Sequence, residues 1–283
     1  MSIAPRTESA PTALHPLDRL LAERRPIVMG ILNLTPDSFA DGGRYVDPAI
    51  AVAHAKRMIA EGADIIDVGA ESTRPYPGMR PVSAEEELAR LMPVLPQVVA
   101  LGVPVSIDTI KAEIATRAIA AGAAIVNDVW GLQRDPDMAG VVAAHGVPVV
   151  VTHNRETVDP DLDIISDMNN FFSRSLEIAW RAGIGRDRIV LDPGIGFGKT
   201  PEQSLAAIAG LHRLRAFGLP LLIGLSRKRF INAVVPSKPQ DRLAGSLAGA
   251  VLAVLDGAVI VRVHDVAETV QALRVAAAIR AAR

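Results

Sequence analysis

The chain has 283 residues, 49% of them apolar and 22% charged, with 30 basic and 31 acidic side chains and a formal net charge of −1. That apolar content can bury one large core, while the charge balance leaves no basic field to drive nucleic-acid binding, and 4% aromatics argue against a base-stacking surface. Cysteine is absent, which excludes a thiolate nucleophile, a zinc or iron–sulfur site with Cys ligands, and any disulfide.

Residues 1–25 carry Pro5, Pro11 and Pro16 with scattered charge and read as a flexible N-terminal arm with one helical turn at Leu17–Glu23. They lack the continuous apolar stretch of a secretory signal. From residue 26 to 283 the spacing predicts one domain in which short β-branched runs alternate with Ala-rich stretches at helical spacing. The strand candidates are Ile27–Leu32, Asp64–Val68, Val103–Ile107, Ala124–Asn127, Val147–Val151, Ile189–Leu191, Leu219–Gly224 and Ala258–Val263. Each is nearly continuous in apolar character, as parallel strands covered on both faces are.

The helix candidates are Asp47–Gly62, Ser83–Leu101, Lys111–Ala121, Asp135–His145, Asp163–Gly183, Pro201–Gly218, Asp241–Asp256 and Val266–Ala282. Ser83-Ala-Glu-Glu86 reads as a capping box, and Pro48 and Pro201 occupy first-turn positions where proline forfeits no hydrogen bond. The joint Ala60-Glu-Gly-Ala-Asp64 is echoed at 120–124 and 255–259, each time as a helix end, a glycine stop and a new strand. Strands and helices alternating this regularly predict a (β/α)8 TIM barrel; an open doubly wound sheet is the alternative. The uncharged run Leu243–Leu255 is too short to span a bilayer and reads as a buried helix, so a soluble, cytoplasmic protein without membrane or nucleic-acid partners is expected.

In such a barrel the chemistry lies at the C-terminal strand ends. Every one of them carries polar residues. Asn33 follows the first strand, with Phe39 and Asp41 in its loop; Glu71-Ser-Thr-Arg-Pro75 follows the second, Asp108-Thr109 the third, and Asn127-Asp128 the fourth. Thr152-His153-Asn154 follows the fifth, Asp192-Pro-Gly-Ile-Gly-Phe-Gly-Lys-Thr200 the sixth, Ser226-Arg-Lys228 the seventh, and Arg262 and His264 the eighth. Acidic and amide groups (Asp108, Asn127, Asp192) and basic groups (Arg74, Lys228, Arg262, His264) form two sets. They suit a ligand that is donor-rich at one end and anionic at the other. Gly194–Thr200 imitates a phosphate loop but has Pro193 where that pattern needs glycine. Phe197 reads either as a ligand contact or as a plug at the rim, Lys199 as a solvated loop residue, and Asp128 as a loop cap.

These loops, in this order, resemble dihydropteroate synthase from about Ile27 to His264. The motifs are Asn-Leu-Thr-Pro-Asp-Ser-Phe (33–39), Glu-Ser-Thr-Arg-Pro (71–75), Asp-Thr (108–109), Asn-Asp (127–128), residues 192–200, Ser-Arg-Lys (226–228) and Arg-x-His (262, 264). The resemblance implies a folate-pathway transferase and sulfonamide target. It would join the diphosphate ester of 6-hydroxymethyl-7,8-dihydropterin to 4-aminobenzoate with the help of Mg2+. It implies that Asp108, Asn127, Asp192 and Lys228 hold the pterin and that Asn33, Arg74, Arg262 and His264 hold the diphosphate, Asn33 also near the metal. Thr73, Pro75, Phe197 and Ser226 would line the aminobenzoate site. The catalytic set it implies is Asp41, Arg74, Lys228, Arg262 and His264, in a homodimer.

The chain departs from the family pattern in a second loop longer by two residues (Arg74-Pro-Tyr-Pro-Gly-Met), in Thr152 where Met is usual, and in Ser204 and Arg229. A methyltetrahydrofolate–corrinoid methyltransferase would share the pterin face without needing the anion set. A non-catalytic pterin-binding protein would bind without turnover.

Overall fold

The structure, a computed structural model, describes residues 14–34, 47–70 and 82–282. Eight parallel strands pair in the order β6-β5-β4-β3-β2-β1-β8-β7, with a bridge between Leu191 and Leu221 joining the β6 and β7 edges into a barrel. They are β1 (Ile27–Asn33), β2 (Ile65–Gly69), β3 (Val105–Asp108), β4 (Ile125–Asp128), β5 (Val149–Thr152), β6 (Ile189–Asp192), β7 (Leu222–Ile223) and β8 (Ile260–Val263). All eight fall within or beside the runs read from the sequence, so the TIM-barrel expectation holds and the open sheet is set aside.

Helix α1 (Pro16–Ala22) precedes β1, and α2 (Pro48–Ala60) links β1 to β2. Helices α3 (Ala84–Leu91) and α4 (Leu95–Val99) follow β2, where one continuous helix was expected; Pro93 and Pro96 interrupt the run. Next come α5 (Ala112–Ala120), α6 (Met138–His145) and α7 (Ile164–Ala182). Helix α6 starts three residues later than expected because Asp135 is used elsewhere, accepting from the Ala112 N–H at 2.7 Å across the gap to α5. After β6, α8 (Pro201–Ala209) and α9 (Leu211–Leu214) are separated at Gly210, where a Cβ would lie 2.4 Å from Ile165 Cδ1. A short helix α10 (Arg229–Val234), absent from the sequence reading, follows β7; α11 (Leu243–Leu255) and α12 (Val266–Ala281) complete the ring. Among the described residues no helix is long and apolar enough to cross a membrane.

Local chemistry fixes several of these ends. The echoed joint is one conformation used three times, with φ of +104° at Gly62, +104° at Gly122 and +114° at Gly257, a region closed to residues with a Cβ. Ser83 Oγ accepts from the Glu86 N–H at 3.1 Å, but the Glu86 carboxylate, rather than completing a box, pairs with Arg90, whose guanidinium also donates to the Ala70 carbonyl at 2.9 Å. The complete box lies at Thr200 and Gln203, each side chain accepting from the other's backbone N–H at 3.1 and 3.0 Å.

The core has two compartments. The larger lies between strands and helices and takes one face of every strand. The smaller fills the barrel with Ile27, Met29, Ile65, Ile125, Val150, Val190, Leu222 and Ile260. Leu17 of α1, 1% exposed, packs into this inner cluster, so α1 covers the N-terminal end of the barrel.

Candidate active site

Side chains in a strand alternate between faces, so the residue two positions beyond an inward-facing one points into the same lumen. Ile65 therefore predicts an inward Asp67, Ile125 an inward Asn127, Val150 an inward Thr152, Val190 an inward Asp192 and Ile260 an inward Arg262. The lumen changes within one step from an aliphatic plug to a polar layer. Asp108 of β3 joins that layer. All but Arg262 are buried (Asp67, Asp108, Asn127, Thr152, Asp192), and the Arg262 side chain is 18% exposed.

The layer is tied together by Arg262. Its Nε donates to Asp67 Oδ2 at 2.6 Å and its Nη2 to Asp108 Oδ2 at 2.7 Å; Asn127 Nδ2 donates to the same Asp67 oxygen at 3.1 Å. Asp67 was not singled out in the sequence, although a carboxylate two residues after an inward isoleucine in a buried strand is a readable signal. Arg262 thus lies among the acidic groups, although the sequence placed it with the anion-binding set. Its position on β8, one step above Ile260, puts it inside the lumen, whereas His264 lies two residues further at the rim.

Four further acceptors, Asp67 Oδ1, Asp108 Oδ1, Thr152 Oγ1 and Ser106 Oγ, are buried without a hydrogen-bond partner among the described residues. Such atoms cost stability unless a ligand's donors satisfy them. Burial pushes the Asp108 carboxyl up to about 7 against the opposing pull of Arg262. It also raises Asp192, which Lys228 opposes. Burial works against the Arg262 charge, but Asp67 and Asp108 outweigh it and hold the guanidinium above its ordinary value.

Asp192 Oδ1 accepts from the Gly194 N–H at 2.8 Å, which fixes the carboxylate at the start of the glycine-rich loop. Further along that loop Phe197 is half-buried, and the Lys228 ammonium lies 4.9 Å from its ring centroid, a cation–π contact bridging the β6 and β7 loops. Arg227 holds φ at +59°, unusual for a residue with a Cβ. The strain is held by its N–H to Ser246 Oγ at 2.9 Å and by its paired guanidinium contacts to Asp265. On one side of it, Ser226 Oγ meets the backbone N–H and Nδ1 of His264 at 3.2 and 2.9 Å. Asn33 and His264 line a cleft of about 500 Å3 that continues along His54 and Arg57 of α2, Glu61 just past its end, and Asp265 and Glu268 at the start of α12.

Two expectations for neighbouring residues resolve differently. Asp128 is a cap as expected: its two oxygens accept from the N–H groups of Trp130 and Leu132 at 2.9 and 2.7 Å, and burial pushes it up to about 6. Lys199 is not solvated. It is 7% exposed, because Gly198 brings the chain so close to Arg155 that the lysine turns inward. Asp41, Thr73, Arg74 and Pro75, with Phe39, lie outside the described residues.

Thus the described strand ends bring Asp108, Asn127, Asp192 and Arg262 into one lumen, and Phe197, Ser226, Lys228 and His264 onto the adjoining loops. The pterin binding enzyme family matches residues 29–264. The dihydropteroate synthase of Bacillus subtilis is 47% identical over 245 residues, covering 86% of this chain and 85% of that protein. The chain belongs to the dihydropteroate synthase family. Among solved structures, a dihydropteroate synthase from Clostridium difficile crystallised with pteroic acid superposes with a TM-score of 0.86 at 46% identity, covering 90% of this chain and 97% of that one. The Xanthomonas albilineans synthase in complex with 7,8-dihydropteroate gives a TM-score of 0.82 at 43% identity, with 91% and 94% covered.

Proposed function

We propose that this member of the dihydropteroate synthase family joins (7,8-dihydropterin-6-yl)methyl diphosphate to 4-aminobenzoate, giving 7,8-dihydropteroate and diphosphate. The observation that carries the reading is the set of buried, unpartnered carboxylate oxygens on Asp67 and Asp108 beside Arg262. A pterin presents adjacent N–H donors on one edge, the complement of such acceptors, and Asn127 and Asp192 add an amide and a further carboxylate to the same lumen. The other end of the substrate is an anion. Arg262, Lys228 and His264, with Arg74 from the second loop, supply the positive charge and donors for it.

In the reaction the methylene carbon–oxygen bond breaks and its electron pair leaves with diphosphate. The arylamine nitrogen then forms the new carbon–nitrogen bond and gives up a proton. Negative charge grows on the bridging oxygen as the bond opens, and fixed donors aimed at it lower the barrier. Asp41 belongs to this proposal as a carboxylate stabilising the positive charge on the pterin methylene. Phe197, Ser226, Thr73 and Pro75 would seat 4-aminobenzoate, Phe197 being held by Lys228. No protein nucleophile is needed.

Mg2+ is part of the proposal. The hard amide oxygen of Asn33, beside His264 in the cleft, fits an ion whose remaining ligands come from diphosphate and water, the usual habit of Mg2+ at phosphates. Bound there, the ion would neutralise charge on the leaving diphosphate. A homodimer in the cytoplasm completes the reading. Leu252 and Leu255 of α11 and Val275 and Ile279 of α12 are exposed apolar side chains that a second copy could cover, and light scattering should give twice the chain mass.

The test is diphosphate release from the purified protein with the pterin diphosphate and Mg2+, with and without 4-aminobenzoate. Release that depends on 4-aminobenzoate and yields dihydropteroate supports the reading; pterin binding without release moves it to a non-catalytic pterin-binding protein.

A further inference from the structure

Behind Asp192 and Phe197 lies a buried chain of polar groups that the proposed reaction does not use. Lys199 Nζ is 2.7 Å from His153 Nδ1, 2.8 Å from the Gly194 carbonyl and 3.1 Å from the Phe197 carbonyl. On the far side of the imidazole, His153 Nε2 lies 3.0 Å from Asp167 Oδ2, which also receives Arg155 at 2.9 Å. The donors and acceptors fix the protonation pattern. An ammonium has three N–H bonds and here finds three close acceptors. The Nδ1 it meets must therefore be the bare nitrogen, leaving the proton on Nε2 to be donated to Asp167. Burial, reinforced by the Lys199 charge, pushes His153 down to about 3, which agrees with a neutral ring.

The same chain determines the shape of the glycine-rich loop. Gly194, at φ +62°, passes so close to β5 that a Cβ would lie 1.8 Å from the His153 carbonyl oxygen, and a Cβ on Gly198 would lie 2.5 Å from that of Arg155. The His153 N–H donates to the Asp192 carbonyl at 2.9 Å, and the Phe197 N–H to the Gly194 carbonyl at 3.0 Å. Lys199 draws two carbonyls of this Gly194–Phe197 turn onto one point. At either end of the turn stand the Asp192 carboxylate and the Phe197 ring.

We propose that Lys199, anchored through His153 to Asp167, is a positioning residue that holds the turn between Asp192 and Phe197 in the conformation required by the pterin and aminobenzoate sites. The proposal rests on the functional reading above and adds to it a residue that touches neither substrate. It also gives the site a dependence on pH. Burial brings the Lys199 ammonium down to about 7; Lys228 and Arg155 push the same way, while Asp192 and Asp167 oppose. Once neutral, the amine keeps two N–H bonds for three acceptors and turns a lone pair toward one of them, so the turn loosens as pH rises.

Steady-state kinetics of the wild type, Lys199→Met and Asp167→Asn, with the pterin diphosphate saturating between pH 6.5 and 8.5, tests this. Saturation keeps the pterin carboxylates occupied, so the KM for 4-aminobenzoate reports the turn. The wild-type KM should climb severalfold across that range. In Lys199→Met it should be about tenfold above wild type at pH 6.5, as loss of charge-assisted hydrogen bonds implies, and flat with pH. Asp167→Asn should move it in the same direction by a smaller factor, and it stands in if the methionine variant does not fold. A Lys199→Met KM within twofold of wild type at pH 6.5, or one that keeps the wild-type slope, overturns the proposal. Absence of wild-type turnover counts against the functional reading alone. Calorimetry with pteroic acid, which spans both sites, then makes the same comparison: affinity at least fivefold weaker in Lys199→Met supports the positioning role, and equal affinity overturns it.

Discussion

Asp67 and Asp108 share one guanidinium while each keeps a buried oxygen without a hydrogen-bond partner among the described residues. The lumen is therefore suited to a donor-rich guest, and these unsatisfied acceptors are costly to maintain without one. With the Asp108 carboxyl at about 7, the group is half protonated near neutrality, and binding to N–H donors requires the carboxylate. Pterin affinity should accordingly fall as pH drops below 7, by about tenfold for each pH unit, and level off above it. Asp108→Asn should lose about 100-fold in affinity at pH 8, the upper range for a charged hydrogen bond, and calorimetry across pH would show the loss together with a flattened profile. Arg262→Ala should weaken the diphosphate ester more than the free pterin alcohol. Because Asp108 loses the charge that opposes its burial, the alcohol should bind more weakly too, with its pH midpoint moved upward. Equal losses for both ligands would remove Arg262 from the anion site. Asp108, Asn127 and Asp192 were legible because each closes an apolar run at a strand end, and Arg262, which lies inside one, was legible through the Arg-x-His motif it forms with His264. Asp67 was not, because it sits inside such a run, and only the lumen-facing alternation of β2 reveals it.

At the scale of elements, strand ends and the loops that leave them are fastened by buried side chains. Asp128 turns the chain after β4 by accepting two backbone N–H groups. Asp128→Asn keeps the shape but turns an NH2 toward one of those donors, so it should cost about 1–3 kcal/mol in urea unfolding. It should leave the KM for the pterin substrate near wild type. Burial raises this carboxyl to about 6, so the native state binds more protons here than the unfolded chain does. Its contribution therefore favours folding as pH falls from 6 toward 4 and lessens as pH rises, the reverse of a salt-bridged aspartate. Helix starts with proline or a capping side chain could be read directly. The break at Pro93 was also written in the local residues, as the prolines at 93 and 96, whereas the break at Gly210 and the inward turn of Lys199 could not be read, because they depend on what lies across the gap (Ile165 beside Gly210, Arg155 beside Gly198).

Over the whole molecule, the barrel is sealed at its N-terminal end by α1 and carries its polar layer at the other. Leu17 packs on the inner aliphatic cluster alone, remote in sequence from every strand after β1. Leu17→Ala should lower the unfolding free energy by about 2–5 kcal/mol, as for other fully buried leucines, with turnover unchanged in buffer. A loss under 1 kcal/mol would show that α1 rests on the barrel without sealing it. The alternation of strand and helix made the architecture legible from spacing alone. The α1 seal was not: the spacing of Leu17, Leu20 and Leu21 signals a helical turn, but nothing in so short a segment says which end of the barrel it covers.

The ring of strands is not equally tight all the way round. β1 and β2 are paired through five residues, whereas β7 contributes two residues to β8 and meets β6 through the Leu191–Leu221 bridge. That thin seam runs between Asp192, on the strand that would grip the pterin, and Ser226 and Lys228, on the loop that would grip the rest of the substrate. A ligand engaging both is a clasp across the barrel's weakest join. Substrate binding should therefore stiffen the wall itself, slowing amide exchange at Leu221–Ile223 far more than at β1 or β2. The catalytic mouth and the closure of the fold become two aspects of one equilibrium.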